Sequence, residues 1–436
     1  MSGKNCFDVL QKIFKPKNFQ NIEDIKGYTI KYGNIVDGEN IIDEVLVSYF
    51  KAPKSYTTEN MCEINSHGGN IVLKKILELC LKNGAELAEP GEFTKRAFLN
   101  GRIDLLQAES VIDIINAKSD KELKTGVKQL EGFLSNEIAK IKQEILDVMV
   151  NIEVAIDYPE YDVDEVTNKQ IFDMLDSVEK KLKRLESSFD NGKIIKEGIK
   201  TAIVGKPNAG KSSLLNAILK EDRAIVTEIE GTTRDTIEEF VTINGIPLKL
   251  VDTAGIRKAK DEVEKIGISK SREIAKEADL IIAIFDSSKD LTDEDMEILN
   301  LIKGKKVIIL LNKIDLNSKI DENDSRLLDV SRDIIKVSAL NNLGIDKLYE
   351  KITDLFNLDQ INLDNEVLIT NLRQKDLITK AIEHIQVTKN TMSNNMPLDI
   401  VAISIKEILE DLGSITGDEV SEDIIDEIFS KFCLGK

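Results

Sequence analysis

With 436 residues and a mass of 48.8 kDa, the chain is long enough for two to four domains that bury their own cores without disulfide staples. Hydrophobic residues make up 42% and charged residues 31%, yet no run approaches the roughly 20 consecutive apolar residues of a bilayer-spanning helix, so a membrane protein is not expected. Lys and Arg number 59 against 78 Asp and Glu, a formal charge of −19, which argues against a broad nucleic-acid-coating surface because phosphate binding needs clustered positive charge.

The opening Met-Ser-Gly-Lys-Asn-Cys-Phe has no apolar stretch before a small-residue cleavage site, so the expected compartment is the cytoplasm. Cys6, Cys62, Cys80 and Cys433 form no CxxC pair, and His67 and His384 are the two histidines, so neither a disulfide scaffold nor a dedicated zinc site is expected.

Residues 1–97 carry 13 basic and 13 acidic groups and read as mixed α+β. Strand-like runs occur at Gly27–Tyr32, Val45–Tyr49 and Met61–Ile64, and a helix is predicted from Ile71 to Lys82, ended by Asn83-Gly84. From Leu105 to Ile156 apolar residues recur every three or four positions, which predicts long amphipathic helices; the acidic Asp157 to Glu165 reads as a solvated loop. Between 198 and 356 short β-branched runs alternate with helical stretches: Ile199–Val204, Leu248–Asp252, Leu280–Asp286, Lys306–Asn312 and Ile334–Ser338. That alternation predicts a parallel sheet with crossover helices. Helical periodicity returns from Leu368 through Ile385 and from Ile400 through Leu412, with Gly413 and Gly417 as stops. Residues 198–356 hold 25 basic and 29 acidic groups, so the remaining excess of −15 lies in 98–197 and 357–436. Their shared acidic, helical character predicts one discontinuous helical domain with an α/β domain inserted into it.

The inserted segment carries a nucleotide signature. Gly205-Lys-Pro-Asn-Ala-Gly-Lys211-Ser212 fits GxxxxGK[ST], after the run Thr201–Val204 and before the helix-like Ser213–Leu219. Asn208, Ala209, Gly210 and Ser213 complete the loop, whose amides curl around phosphate oxygens; Lys211 neutralises the β- and γ-phosphates and Ser212 ligates Mg²⁺. Asp252-Thr253-Ala254-Gly255 would serve the metal's water shell and the γ-phosphate, and Thr233 in Gly231-Thr-Thr-Arg-Asp235 the second metal-ligating hydroxyl. Asn312-Lys313-Ile314-Asp315 supplies a carboxylate for guanine N1 and N2, donors that adenine lacks as a pair. Ser338-Ala339-Leu340 would complete the base pocket through backbone amides. These elements follow the order and spacing of Ras-like GTPases, but Ile256 stands where a water-orienting glutamine is expected, so another group must place the attacking water. Asp261-Glu262-Val263-Glu264 is rich in acceptors and reads equally well as a charged helix face; Arg234 or Arg257 could supply a cation, or simply a surface salt bridge.

More specific are His67-Gly-Gly69, Pro90-Gly-Glu-Phe-Thr-Lys-Arg-Ala-Phe-Leu-Asn100, Asp104-Leu-Leu-Gln-Ala-Glu109, Gly231-Thr-Thr-Arg-Asp235 and the terminal Phe432-Cys-Leu-Gly-Lys436. With these motifs the chain resembles, nearly end to end, the tRNA-modification GTPase family called MnmE or TrmE. The family ends in Cys-Ile-Gly-Lys, so Leu434 departs from it. The resemblance implies a multidomain α/β plus α protein: a folate-binding and dimerising α+β domain (1–97), a discontinuous helical domain (98–197 and 357–436) and a Ras-like P-loop GTPase domain (198–356). It implies hydrolysis activated by K⁺-dependent dimerisation of the GTPase domains, with K⁺ held by Asn208, Thr227, Ile229 and Thr232, and water oriented by Glu264. It also implies a homodimer in a heterotetramer-type complex with an FAD-containing partner, modifying C5 of the wobble uridine of tRNA with a carboxymethylaminomethyl-type group. A 5,10-methylene- or 5-formyl-tetrahydrofolate-type cofactor would lie at Glu63, Arg102 and Lys436, with Cys433 near it as a catalytic or an inert thiol. The −19 charge fits a tRNA gripped mainly by the partner. Family members open with two strands closing in Arg-apolar-Ser-Gly, and this chain starts at Ser2-Gly3 of that pattern. The resemblance therefore predicts a shortened sheet with unpaired backbone and weak folate binding beside intact GTP hydrolysis. The alternatives are a ribosome-assembly or regulatory switch GTPase without covalent chemistry, which would usually carry a basic RNA-binding module, and a folate-binding scaffold, which would leave the GTP site without purpose.

Overall fold

The computed structural model describes residues 1–18, 26–157, 164–220, 239–251, 277–358, 367–394 and 396–435. By backbone contacts the chain forms two interleaved compact units. One comprises Met1–Ile115, Lys128–Lys181 and Leu377–Lys436; the other comprises Asn116–Val127 and Leu182–Asp376. Among the described residues no helix is long and apolar enough to cross a membrane.

The first unit opens with helix α1 (Cys6–Ile13) and an antiparallel sheet in the order β1 (Phe14–Pro16), β2 (Thr29–Asp37), β3 (Asn40–Phe50), β4 (Met61–Asn65). Strand alternation sorts the residues by face. Ile35, Val45, Val47, Tyr49 and Cys62 join Leu10 and Ile13 of α1, and Ile76 and Leu79 of α2 (Asn70–Lys82), in one core. The opposite face is open and mixed, with Ile30 62%, Tyr32 48% and Leu46 47% exposed beside the exposed Glu44 and Glu63. Beyond β4 the chain start pairs with the sheet: the Met1 ammonium donates to Cys62 O at 2.8 Å, Cys62 N donates to Met1 O, and Ser2 bridges Met61.

The Asp104-Leu-Leu-Gln-Ala-Glu109 motif proves to be a helix start. Asp104 Oδ1 accepts from Gln107 N at 2.8 Å while Gln107 Oε1 accepts from Asp104 N at 3.0 Å, a reciprocal capping box that begins α4 (Leu105–Asn116). The periodic stretch to Ile156 then breaks into α5 (Asp120–Leu130) and α6 (Phe133–Asp157), with Gly132 at φ +85° between them. Of the expected acidic loop, Asp157 ends α6 and Asp164 and Glu165 begin α7 (Asp164–Ser187); residues 158–163 lie outside the described residues. Near the C-terminus the helices are α13 (Leu372–Ser393), α14 (Leu398–Thr416) and α15 (Glu422–Ser430). Gly413 lies within α14, and Gly417, in the left-handed region at φ +94°, is the actual stop. α6 packs along α14, burying Ile138, Ile141, Ile145, Val148 and Ile152 on one and Val401, Ile405, Ile408, Leu412 and Ile415 on the other. Each such side chain contributes about 1.5–3 kcal/mol.

Lys389 of α13 donates to Asp176 Oδ1 at 2.8 Å and Glu179 Oε2 at 3.0 Å, both on α7. Bonds from Lys180 and then Lys389 hold the Asp176 carboxyl down to about 2. A carboxyl depressed on folding stabilises above its unfolded value of about 3.9 and loses that contribution as pH falls towards 2. The Lys180→Ala/Lys389→Ala double variant should therefore unfold less steeply with acid between about pH 4 and 2, and be weaker than the parent above pH 4. Far-UV circular dichroism against pH at fixed urea measures this; superimposable curves would refute the linkage.

The second unit holds a six-stranded sheet in the order β10 (Ile334–Lys336), β9 (Val307–Asn312), β8 (Leu280–Asp286), β5 (Ile199–Val204), β7 (Ile246–Val251), β6 (Glu239–Ile243). All pairs are parallel except β6 with β7. β9 is buried at every position, as expected of a central strand with both faces covered. The chain leaves β5 towards β7 on one side and returns as β8 on the other. The loop after β5 thus emerges where the strand order reverses, the usual place for a ligand in an open α/β sheet.

Candidate functional site

The loop after β5 is built on glycines that no other residue could replace. A Cβ on Gly205 would lie 2.4 Å from Ile284 O, and one on Gly210 would lie 2.0 Å from Asn312 Nδ2. Gly210 is also left-handed at φ +110°, as is Asn208 at +62°. The loop runs into α9 (Lys211–Lys220), anchored by buried Leu214, Leu215 and Ile218. Lys211 Nζ donates to Gly205 O at 2.6 Å and Lys206 O at 2.8 Å, and burial lowers its pKa. A cation held by two carbonyls beside a helix N-terminus suits phosphate oxygens. Ser212 and Ser213 occupy the first turn of that helix.

Asn312, 2% exposed at the end of β9, ties this loop to the last one. Its Nδ2 donates to Ala209 O at 2.8 Å and its Oδ1 accepts from Ala339 N at 3.0 Å. The Ser338 amide donates to Leu343 O, so the expected amide donors Ser338 and Ala339 are both engaged in holding the loop. Ser338 reaches Asp315 through its hydroxyl, which donates to Asp315 Oδ1 at 2.6 Å. One carboxylate oxygen of Asp315 is thereby fixed, a buried serine setting the orientation of an exposed acid.

Lys313, at φ +66°, donates to Asp286 Oδ2 at 2.7 Å. Burial alone would raise the Asp286 carboxyl, but bonds from Lys313 and from the amide and hydroxyl of Ser288 bring it below the ordinary range. Asp286 went unassigned in the sequence, although its place at the end of β8, followed by Ser287-Ser288, is the signal that marks it. The β6–β7 hairpin was also missed, despite Asn244-Gly245 between apolar runs; both residues have positive φ, as a tight hairpin turn requires.

The structure thus gathers Asn208, Ala209, Gly210, Lys211, Ser212, Asn312, Lys313, Asp315, Ser338 and Ala339 beyond the C-terminal ends of β5, β9 and β10, with β8 between β5 and β9. Thr227, Ile229, Thr232, Thr233, Asp252, Thr253, Ala254, Gly255, Ile256, Glu262, Glu264 and Lys436 lie outside the described residues.

In the first unit, Glu63 lies on the open sheet face, paired across the strands with Ser48. The Arg102 guanidinium sits 4.4 Å from the ring centroid of Tyr56. Cys433 is exposed, and its carbonyl accepts from Gly91 N at 3.3 Å. Gly91 must be glycine: at φ +69° its Cβ would meet Phe429 O and Phe432 Cβ at 2.9 Å. That close approach explains the Pro90-Gly pair, which seats the C-terminal segment. Among the described residues no hydrogen bond links Glu63, Arg102 and Cys433.

Comparison with known proteins gives two family matches. The profile of the GTP-binding protein TrmE N-terminus matches residues 1–102, and that of the MnmE helical domain matches residues 105–433. The tRNA modification GTPase MnmE of Clostridioides difficile (strain 630) is 50% identical over 436 residues, covering 100% of this chain and 95% of the relative. The protein of the same name from Acetivibrio thermocellus is 48% identical over 438 residues with the same coverage.

Proposed function

Because the chain belongs to the MnmE family of tRNA-modification GTPases, we propose that it uses GTP hydrolysis to drive modification of the wobble uridine of tRNA at C5. The GTP part of this reading is supported by the bridge through Asn312, which joins the phosphate loop at Ala209 to the loop at Ala339 and leaves Asp315 presented beside them; the tRNA part rests on the family. The protein is a GTPase of tRNA modification with a Ras-like P-loop fold; the finer assignments are ours.

Mg²⁺ would be held by Ser212 and Thr233, and K⁺ by Asn208, Thr227, Ile229 and Thr232. Asn208 fits that role, since its left-handed backbone lifts an exposed amide at the loop tip. A monovalent cation there would offset charge developing on the phosphates. Lys211 would neutralise the β- and γ-phosphates, and Glu264 would orient the attacking water in place of the apolar Ile256. The domains would be 1–97 for folate binding and dimerisation, 98–197 with 357–436 as helical scaffold, and 198–356 for GTP. A homodimer would cover the exposed Ile30, Tyr32 and Leu46 of the mixed sheet face. A one-carbon tetrahydrofolate would meet Glu63, Arg102 and Lys436, the carboxylate facing the pterin and the cations its glutamate tail. Cys433 is exposed enough to act there. The partner would be an FAD-containing protein holding most of the tRNA, and the site of action the cytoplasm.

Hydrolysis should be faster in K⁺ than in Na⁺, and Glu264→Ala should abolish most turnover while sparing GTP binding. Glu262→Ala should retain activity. Equal rates in the two salts, or an essential Glu262, would overturn the mechanism. The coupling is tested by the wobble-uridine content of tRNA from cells with and without the protein: unchanged nucleosides would instead favour a switch GTPase.

A further inference from the structure

Lys206 follows the first glycine of the phosphate loop, where a second cation beside Lys211 would suit the phosphates. Its side chain instead turns away from the cradle. Nζ lies 2.6 Å from Asp295 Oδ2 and donates to Thr292 Oγ1 at 2.7 Å. Both partners open the helix α10 (Asp293–Ile302), where Asp295 Oδ2 also accepts from Thr292 N at 2.9 Å. The Asp295 side chain is 6% exposed and that of Lys206 25%, so the pair is sheltered from the screening that empties surface ion pairs of energy. The main chain of the same lysine carries the other end of the connection. Lys206 O accepts from Lys211 Nζ at 2.8 Å and from Ala209 N at 3.3 Å.

One residue therefore joins a helix outside every nucleotide motif to a carbonyl on which the phosphate-binding ammonium rests. We infer that Lys206 and Asp295 form a positioning clamp that fixes the first turn of the phosphate loop, and so sets the place of Lys211 for GTP hydrolysis. Neither side chain touches nucleotide; both act through the loop. The clamp also has an electrostatic side. Asp295 without Lys206 is a nearly buried carboxylate left without its cation, and the cost of holding it there adds to the loss of the tether.

The test is steady-state GTP hydrolysis by the full chain, with thermal unfolding of each variant measured alongside. Lys206→Met should raise KM for GTP about tenfold or more while kcat falls less than about threefold, because ground-state positioning is what is lost. Lys206→Arg, which keeps a donor cation, should stay within about threefold of the parent KM. Asp295→Asn should raise KM by a smaller factor, and Lys206→Met/Asp295→Asn should be no worse than Lys206→Met alone, since the second change removes the stranded carboxylate. A KM within twofold of the parent in Lys206→Met would overturn the proposal. So would multiplying effects in the double variant, or a KM loss in Lys206→Met that Lys206→Arg shares. The inference rests on GTP hydrolysis alone, so its failure is separable from failure of the K⁺ or folate assignments.

Discussion

Asp315→Asn is expected to lower GTP affinity by about 10–150-fold, the equivalent of roughly 1.5–3 kcal/mol for a hydrogen-bonded charged group. In the proposed base pocket the carboxylate would accept from two guanine donors, whereas the amide could accept from only one while turning a donor towards the other. Its Oδ1 is already fixed by the Ser338 hydroxyl at 2.6 Å, so the side chain has little freedom to recover a bond by rotation. Xanthosine triphosphate, with a carbonyl where guanine carries its amino group, should gain in the same variant. Titrating a fluorescent analogue of each nucleotide measures both arms. Unchanged GTP affinity would remove Asp315 from the base pocket.

Gly192→Ala should destabilise the second unit by about 1–3 kcal/mol, the range for forced overpacking. Gly192 sits in helix α8 (Phe189–Glu197) with an ordinary helical backbone, where alanine would by propensity stabilise by about 1 kcal/mol. Sterics reverse that sign. The new Cβ would lie 2.0 Å from Ile369 O and 2.8 Å from Ile369 C, both main-chain atoms. The segment cannot easily retreat, since Ile369 is fully buried and its amide donates to Ser188 Oγ at 3.2 Å. For a unit of this size the melting temperature should drop by about 2–12 °C. Gly68→Ala is the control: its Cβ would meet nothing within 4 Å, and its melting temperature should match the parent. A Gly192→Ala variant that melts at or above the parent temperature would contradict the packing described.

The phosphate loop was legible from sequence because its glycines, its lysine and the strand and helix around it are contiguous. Local hydrogen bonding explains the Asp104 to Gln107 capping box just as directly. What was not legible depends on topology. Lys313 meets Asp286 and Ser338 meets Asp315 only because the sheet order places the ends of β8 and β9 side by side and β10 beside them. Nothing in the spacing 286–313 announces the pair. Lys206 was counted as part of a motif, yet its side chain serves a helix that begins 87 positions later, at Asp293. Periodicity likewise does not locate the break at Gly132 and leaves both Gly413 and Gly417 open as stops, since one helical register can pass through any of these glycines. Backbone conformation decides, left-handed at Gly132 and Gly417 and not at Gly413.

The pairing of α6 with α14 has a consequence for a chain leaving the ribosome. About 240 residues separate the end of α6 from the start of α14, which at roughly 5–20 residues per second is a delay of about 10–50 s. Throughout that interval the stripe from Ile138 to Ile152 lacks its α14 partner, although α7 is already made and reaches α6 through Lys181 and Glu144, while the strands of the nucleotide unit emerge and can collapse on one another first. The order of synthesis thus completes the second unit before the first, and makes α6, rather than the strands around the nucleotide loop, the segment that waits longest for the partner it buries against.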